Sequence, residues 1–413
     1  AKARAATIKA PIPPSVFEAL MFETLHKAPA DTIFALAAQY AADTNPAKID
    51  LGVGVYKDEA GRTPIMSAVK KAEQRILESA ATKTYVGVAG NKAFSTAMIG
   101  LALGDAVDTS RVRAIQAPGG TGALWVLLKL LQRAKPGGTV WISDPSWPNH
   151  KPMVEGVGLN AKFYPYFDAS TGSVDFDAMM SVIDGLGAND IVLLHGCCHN
   201  PTGANLSPDQ WDQVAASLSA SGAFPLIDLA YQGFGDGLEA DAYGVRAIVA
   251  AVPEALVATS CSKNFGLYRE RVGCSIAVAR DAAQADIVLS QMLNIARGAY
   301  SQPPDHGAEI VRIVLEDEEL RAEWQAELEH MRTRMIANRE ALAEAIRQRS
   351  NRHDFDFVAE HRGMFSLLGL DKKDVDALKA SHSIYMLDDS RINIAGLGQR
   401  EIETLAEALI ATA

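Results

Sequence analysis

The stretch Ala255-Leu256-Val257-Ala258-Thr259-Ser260-Cys261-Ser262-Lys263-Asn264-Phe265-Gly266, continuing through Leu267-Tyr268-Arg269-Glu270 to Arg271-Val272-Gly273, decides how the chain is read. An apolar run of strand length ends in small hydroxyl-bearing residues and a lysine, which suits an amine held at the end of a buried strand. Desolvation there disfavours the ammonium form and makes Lys263 a candidate nucleophile near neutral pH. The hydroxyls of Ser260 and Ser262 and the guanidinium of Arg271 lie close by in sequence and together suit an anion, arginine being able to grip a phosphate bidentately. Most lysines are surface solubilisers, so the reading depends on what the rest of the chain supplies.

Other strand-like runs flank this one. Residues 139–143 end in Asp144-Pro145-Ser146-Trp147-Pro148-Asn149-His150, residues 190–195 end in Gly196-Cys197-Cys198-His199-Asn200-Pro201-Thr202-Gly203, and Phe224-Pro225-Leu226-Ile227-Asp228-Leu229-Ala230-Tyr231 buries a carboxylate among apolar neighbours. Strands alternating with helical segments from about residue 110 to 275 indicate an α/β fold, a mostly parallel sheet covered by helices. Ligands in such sheets collect at the carboxyl ends of the strands. Trp147, Asn200, Asp228, Tyr231 and Lys263 all fall at or just beyond such ends. Taken singly, Trp147 is equally a stacking platform for a planar ring or a loop residue capping the core. Asp228 needs a cationic partner if it is buried, and a pyridinium nitrogen would serve. His195 and His199 read as hydrogen-bonded core histidines rather than metal ligands, since no carboxylate cluster accompanies them. In Ala117-Pro118-Gly119-Gly120-Thr121-Gly122, glycines open an apolar helix and leave free N–H groups at the positive end of its dipole, with the Thr121 hydroxyl beside them. That is a phosphate seat of neither the dinucleotide nor the Walker type. A lysine able to form a Schiff base, a phosphate seat and a buried aspartate together imply pyridoxal phosphate.

The bulk numbers agree with an enzyme of this kind. The 413 residues are 48% hydrophobic and 22% charged, enough for a large core in two domains. A net charge of −11 argues against nucleic acid or an anionic membrane as the main partner. The cysteines, Cys197, Cys198, Cys261 and Cys274, follow neither a secreted disulfide framework nor a zinc spacing, and no metal site is expected. No apolar stretch is long enough to span a bilayer, and the cytoplasm is the expected compartment.

Outside the sheet region, Pro11, Pro13 and Pro14 predict an extended arm over residues 1–25 that orders on another surface, an oligomer partner being the natural one. A helix is expected to open near Asp31 or Thr32, a strand over 49–56, and a helix beginning at Thr63-Pro64. Gly52 and Gly54 suit either close backbone approach or a bulge. Tyr85 lies in a loop, as a packing residue or as a ligand. A long charged helical region is expected from Gly307 to about Arg349, followed by strands over 363–368 and 390–396. Arg391, at the start of an apolar strand, suits capture of a carboxylate or a surface salt bridge. The expected division is an arm at 1–25, a small domain from 26–64 and 327–413, and a large domain at 65–326.

These stretches resemble the aspartate/aromatic aminotransferases, the class I aminotransferases of pyridoxal phosphate fold type I, from about Met21 to the C-terminus. The most specific are Asp144 through His150, His199 through Gly203, Asp228 through Tyr231 and Ser260 through Gly273. The resemblance implies that Lys263 carries the cofactor covalently and that Asp228 pairs with its ring nitrogen. It implies that Tyr231 and Asn200 bond its 3-oxygen and that Trp147 stacks on its ring. Gly120, Thr121, Ser260, Ser262 and Arg271 would hold the phosphate, with Tyr85 reaching in from a neighbouring subunit. Arg391, Asn200, Trp147 and Gly54 would bind the substrate α-carboxylate, and Arg297 from the neighbour a distal one. A homodimer with shared active sites follows, acting on amino acids and 2-oxo acids. Thr84 and Gln302 depart from the asparagines common in aspartate-specific members. His361-Arg362-Gly363-Met364-Phe365-Ser366 and Cys197-Cys198 look more like bacterial aromatic aminotransferases. The expectation is therefore transfer from aromatic L-amino acids to 2-oxoglutarate, against an aspartate-specific transaminase, a lyase of the same fold, or a non-catalytic regulator that binds the cofactor.

Overall fold

The computed structural model describes residues 21–28 and 32–412. Seven strands form the central sheet: β1 (Val112–Pro118), β2 (Thr139–Asp144), β3 (Asn160–Pro165), β4 (Asp190–His195), β5 (Phe224–Leu229), β6 (Ala255–Ser260) and β7 (Val272–Val278). Their order is β1-β7-β6-β5-β4-β2-β3, and only β7 runs against the others. The strands are too apolar to face water on either side, and helices cover both faces. Along β4, Ile191 and Leu193 enter the core on one face while Val192 and Leu194 enter the core on the other. Register places His195 opposite Asp228, Asp228 opposite Ala258, and Gly273 between Ala117 and Ser260. The C-terminal ends of the six co-directional strands and the start of β7 thus lie at one end of the sheet.

A third apolar cluster joins Ile49 and Leu51 to Leu342, Ile346, Leu405 and Leu409 from the other end of the chain. Two short strand pairs border it, Ile49–Asp50 with Ile384–Tyr385 and Phe365–Leu367 with Arg391–Asn393.

Several sequence expectations are corrected at their edges. The strand over 49–56 is only Ile49–Asp50. Beyond it the backbone turns to side chains for its bonds: Gly52 N–H donates to Asp50 Oδ1, Asn393 Nδ2 donates to the Val53 and Val55 carbonyls, and Tyr56 N–H donates to the Tyr268 hydroxyl. The helix expected from Thr63-Pro64 starts at Ser67, because Met66 is extended and the Ser67 and Ala68 N–H groups donate to the Glu327 carboxylate. The charged region is two helices, His306–Glu316 and Glu318–Ser350, divided at Asp317, whose side chain caps the second. The strands expected over 363–368 and 390–396 shorten to Phe365–Leu367 and Arg391–Asn393. Asp31 and most of the 1–25 arm lie outside the described residues; Met21–Thr24 forms a short 3-10 turn. Among the described residues, no helix is long and apolar enough to cross a membrane.

Candidate active site

At the carboxyl end of the sheet lies a cavity of about 230 Å³, lined by residues from five strand ends and from the start of the 119–134 helix. Gly120 and Thr121 come from that helix, Trp147 from the turn after β2, and Asn200 from the turn after β4. Asp228 comes from β5 and Tyr231 from just beyond it, Ser260 from the end of β6 with Ser262 and Lys263 in the turn that follows, and Arg271 is the residue before β7. The structure therefore brings together the larger part of the residues singled out from sequence.

Lys263 is partly buried, with Nζ 4.8 Å above the centre of the Tyr231 ring. Burial pulls its pKa down to about 8, with the nearby Arg271 and Arg391 charges assisting and Asp228 opposing. About a tenth of Lys263 is thus free amine at pH 7, far more than for an ordinary lysine. Burial would push the Asp228 carboxyl up, but its hydrogen bond with His150 and the fields of His150, His195 and Lys263 hold it below the ordinary carboxylate range. Burial raises the Tyr231 phenol, which stays protonated and accepts from Asn200 Nδ2 at 3.4 Å.

A relay that sequence reasoning missed supports Asp228. The Asn200 N–H donates to His195 Nδ1 at 3.4 Å, and burial lowers the His195 pKa to about 3, so the ring is neutral and its proton sits on Nε2. That N–H donates to Ser146 Oγ at 3.1 Å, Ser146 donates to His150 Nδ1 at 2.9 Å, and His150 Nε2–H reaches Asp228 Oδ2 at 3.1 Å. The internal partner of Asp228 is thus a histidine N–H, while its face toward the cavity stays open. The sequence signal was present: a buried carboxylate needs a donor, and His150 closes the same turn that carries Trp147. His199 is a core histidine as expected, between Ser143 and Thr202 and stacked on Tyr166.

The anion seat is built by close approach. A Cβ added at Gly120 would lie 3.1 Å from Ser260 Cβ, and one at Gly119, where φ is +76°, would lie 2.4 Å from Arg271 Nη2. Ser260 donates to Ser262 Oγ at 3.1 Å, and Arg271 donates to the Tyr268 carbonyl at 3.0 Å. Among the described residues no carboxylate pairs with Arg271. Two hydroxyls, a guanidinium without a counter-charge and a helix N-terminus converge on one spot, the donor set a phosphate monoester requires. With Lys263 for an aldehyde and Asp228 for a ring nitrogen, the residues present fit pyridoxal phosphate.

Arg391 borders the cavity through Asn200. It is 3% exposed, donates to the Gly52 carbonyl at 2.9 Å and to Asn200 Oδ1 at 3.4 Å, leaves Nε unbonded, and lies 4.3 Å above the Phe365 ring centre. It is not a surface salt bridge. Gly54 faces the same ring, since a Cβ there would lie 2.9 Å from Phe365 Cζ. Sequence pattern alone gives Phe365 no role. Four sequence-predicted residues do not line this cavity: Gly54 and Arg391 lie beside it, while Tyr85 is 90% exposed and Arg297 is exposed and donates to Ser301 Oγ at 2.6 Å. All four cysteines are free and buried.

The sequence model of the family described as "Aminotransferase class I and II" matches residues 46–409. The chain is 52% identical to an aromatic-amino-acid aminotransferase of Paracoccus denitrificans, over 92% of this chain and 96% of that protein. It is 43% identical to an aspartate aminotransferase of Escherichia coli, over 95% of this chain and 100% of the other. Among solved structures, an aromatic amino acid aminotransferase with 3-indolebutyric acid superposes with a TM-score of 0.93 at 51% identity, covering 95% of this chain and 100% of that one. The aromatic-amino-acid aminotransferase of Burkholderia pseudomallei, covalently bound to pyridoxal phosphate, does so at 0.93 and 41% identity, over 95% and 100%.

Proposed function

The chain belongs to the class I and II aminotransferases, a pyridoxal phosphate-dependent family, and from that premise we propose that it takes the amino group from aromatic L-amino acids, and from aspartate, to 2-oxoglutarate. The observation that carries the aromatic assignment is the 52% identity, over almost the whole of both chains, to a protein named for aromatic amino acids. Bound pyridoxal phosphate supplies an aldehyde that accepts the amino group and a protonated ring that draws off the electron pair released at the substrate Cα.

The remaining steps belong to the chain. Lys263 would hold the cofactor through Nζ, and its free amine would take the proton from the substrate Cα. Asp228, ionised and braced by His150, would keep the ring nitrogen protonated. Tyr231 and Asn200 would orient the ring through its 3-oxygen, and Trp147 would cover its face. Gly120, Thr121, Ser260, Ser262 and Arg271 would anchor the phosphate. Arg391, assisted by Asn200, Trp147 and Gly54, would align the substrate by its α-carboxylate so that the Cα–H bond points at Lys263.

We further read Tyr85 and Arg297 as contributions to a neighbour's site in a homodimer, Arg297 meeting the distal carboxylate of aspartate or glutamate. The small domain would comprise 26–64 and 327–413 against a large domain at 65–326, and four reduced, buried cysteines suit the cytoplasm. Steady-state kinetics with 2-oxoglutarate as acceptor test the substrate reading. A higher kcat/KM for phenylalanine or tyrosine than for aspartate, in a ping-pong pattern, is expected; turnover of aspartate alone would refute it.

A further inference from the structure

Arg339, in the middle of the 318–350 helix, is 0% exposed, and among the described residues no carboxylate pairs with it. A buried guanidinium is costly unless its donors are used, and an apolar side chain of the same volume would stabilise the core at least as well. All four of its hydrogen bonds go to the turn that joins the short Phe357–Glu360 helix to the Phe365–Leu367 strand, and to its two flanks. Nη1 donates to Ser366 Oγ at 2.5 Å and to the Val358 carbonyl at 3.3 Å, and Nη2 donates to the carbonyls of Gly363 at 2.8 Å and Phe365 at 2.7 Å. His361 ties the same turn down from outside: Nε2–H donates to the Gly172 carbonyl at 2.7 Å, leaving Nδ1 to accept from Ser366 Oγ at 3.0 Å. The turn presents Phe365, whose ring lies edge-on to Tyr231 with centroids 6.2 Å apart and whose face supports the Arg391 guanidinium. Among the described residues the Arg391 guanidinium makes two hydrogen bonds, a firm one to the Gly52 carbonyl and a long one to Asn200, and its Nε has no partner. The Phe365 face is thus the second constraint on its tilt, beside the bond to Gly52.

We propose that Arg339 is a positioning residue for the carboxylate seat: it locks the 358–366 turn so that Phe365 holds Arg391 at the angle needed to grip a substrate carboxylate with both nitrogens. This rests on the reading of Arg391 given above. It assigns a purpose to the His361–Ser366 stretch that the phosphate seat, Lys263 and Asp228 do not use. Losing the lock lets the fork tilt, and a displacement on the order of 1 Å at an aligning group costs up to about a hundredfold.

The test uses the holoenzyme and its Arg339→Met and Arg339→Lys variants. Calorimetry gives the Kd of 3-phenylpropionate, a carboxylate that cannot react, and of pyridoxal phosphate added back to apoenzyme; kinetics give KM and kcat for phenylalanine. Arg339→Met should weaken 3-phenylpropionate by about tenfold or more and raise KM by a similar factor, while cofactor Kd changes less than about twofold and kcat less than about threefold. Arg339→Lys should recover part of the loss. Unchanged carboxylate affinity would overturn the proposal, and so would parallel loss of carboxylate and cofactor affinity, the mark of a merely structural role. Should Arg339→Met not fold, Arg339→Lys and Ser366→Ala are held to the same criterion with smaller effects. A wild-type enzyme that turns over no aromatic amino acid would refute the proposed substrate, while 3-phenylpropionate binding would still decide the role of Arg339.

Discussion

Replacing Gly273 with alanine should damage the cofactor seat without touching any group that contacts the cofactor. Gly273 sits where β7 passes between the end of β6 and the start of the 119–134 helix. A Cβ there would lie 2.4 Å from the Gly119 carbonyl carbon, 2.5 Å from its oxygen and 2.8 Å from the Thr259 oxygen. All three are backbone atoms, so no side-chain rotation relieves the clash, and the helix start must move away from β6. Overpacking costs about 1–3 kcal/mol, and backbone contacts on two sides put this case at the upper end, about 3 kcal/mol. The same movement takes the Gly120 N–H away from Ser260, where the spacing is already tight. Losing one charge-assisted hydrogen bond of about 1.5–3 kcal/mol should raise the Kd of pyridoxal phosphate roughly ten- to a hundredfold. Thermal unfolding of apoenzyme and calorimetric titration with the cofactor read the two effects. Gly100→Ala is the control: it sits exposed in the 92–103 helix with open space at its Cβ position, and alanine should stabilise by roughly 0.5–1 kcal/mol. A Gly273→Ala enzyme with native Tm and native cofactor affinity would refute the reasoning.

Three further perturbations address the chemistry. In apoenzyme, labelling of Lys263 by an amine-reactive reagent should titrate with a midpoint near 8, and Asp228→Asn, which removes the charge that raises this pKa, should move the midpoint lower; a midpoint near an ordinary lysine's, about 10.4, would contradict the account. His150→Phe removes the donor that holds Asp228 ionised, so the Asp228 pKa rises and the acid limb of the kcat/KM profile should shift to higher pH; an unmoved limb argues against the relay. Arg297→Ala should cut kcat/KM for aspartate roughly ten- to a hundredfold and leave phenylalanine within a few-fold. Mixing Arg297→Ala with Lys263→Ala chains should then restore aspartate activity in about a quarter of the sites, because half the dimers are mixed and each has one intact site. No restoration would place Arg297 in its own chain's site.

The cavity was legible because its residues follow strand ends, where hydrophobic pattern and turn residues speak together. Lys263, Asp228, Asn200 and Trp147 each stand within a few residues of an apolar run that could only be a buried strand. What pattern did not reveal were bonds between distant segments. The helix after Pro64 starts late because Glu327, far along the chain, supplies its cap. The strand at Ile49 stops early because the Asn393 side chain takes over its carbonyls. His150 carries only an indirect signature, its place in the turn with Trp147, and is defined by its reach to Asp228; Arg339 carries none and is defined by a turn 19 to 27 residues downstream. Sequence pattern leaves Arg391 between carboxylate capture and a surface salt bridge, and its burial without a carboxylate partner among the described residues removes the second.

The central claim is that Lys263 holds the cofactor and yields it to an aromatic amino acid. Borohydride reduction of the holoenzyme followed by peptide mass mapping tests it directly. The reduced cofactor's mass is expected on the peptide containing Lys263, and is expected to be lost when phenylalanine is added before reduction with no 2-oxo acid present. Label on another lysine, or label on Lys263 that phenylalanine leaves in place, would contradict it.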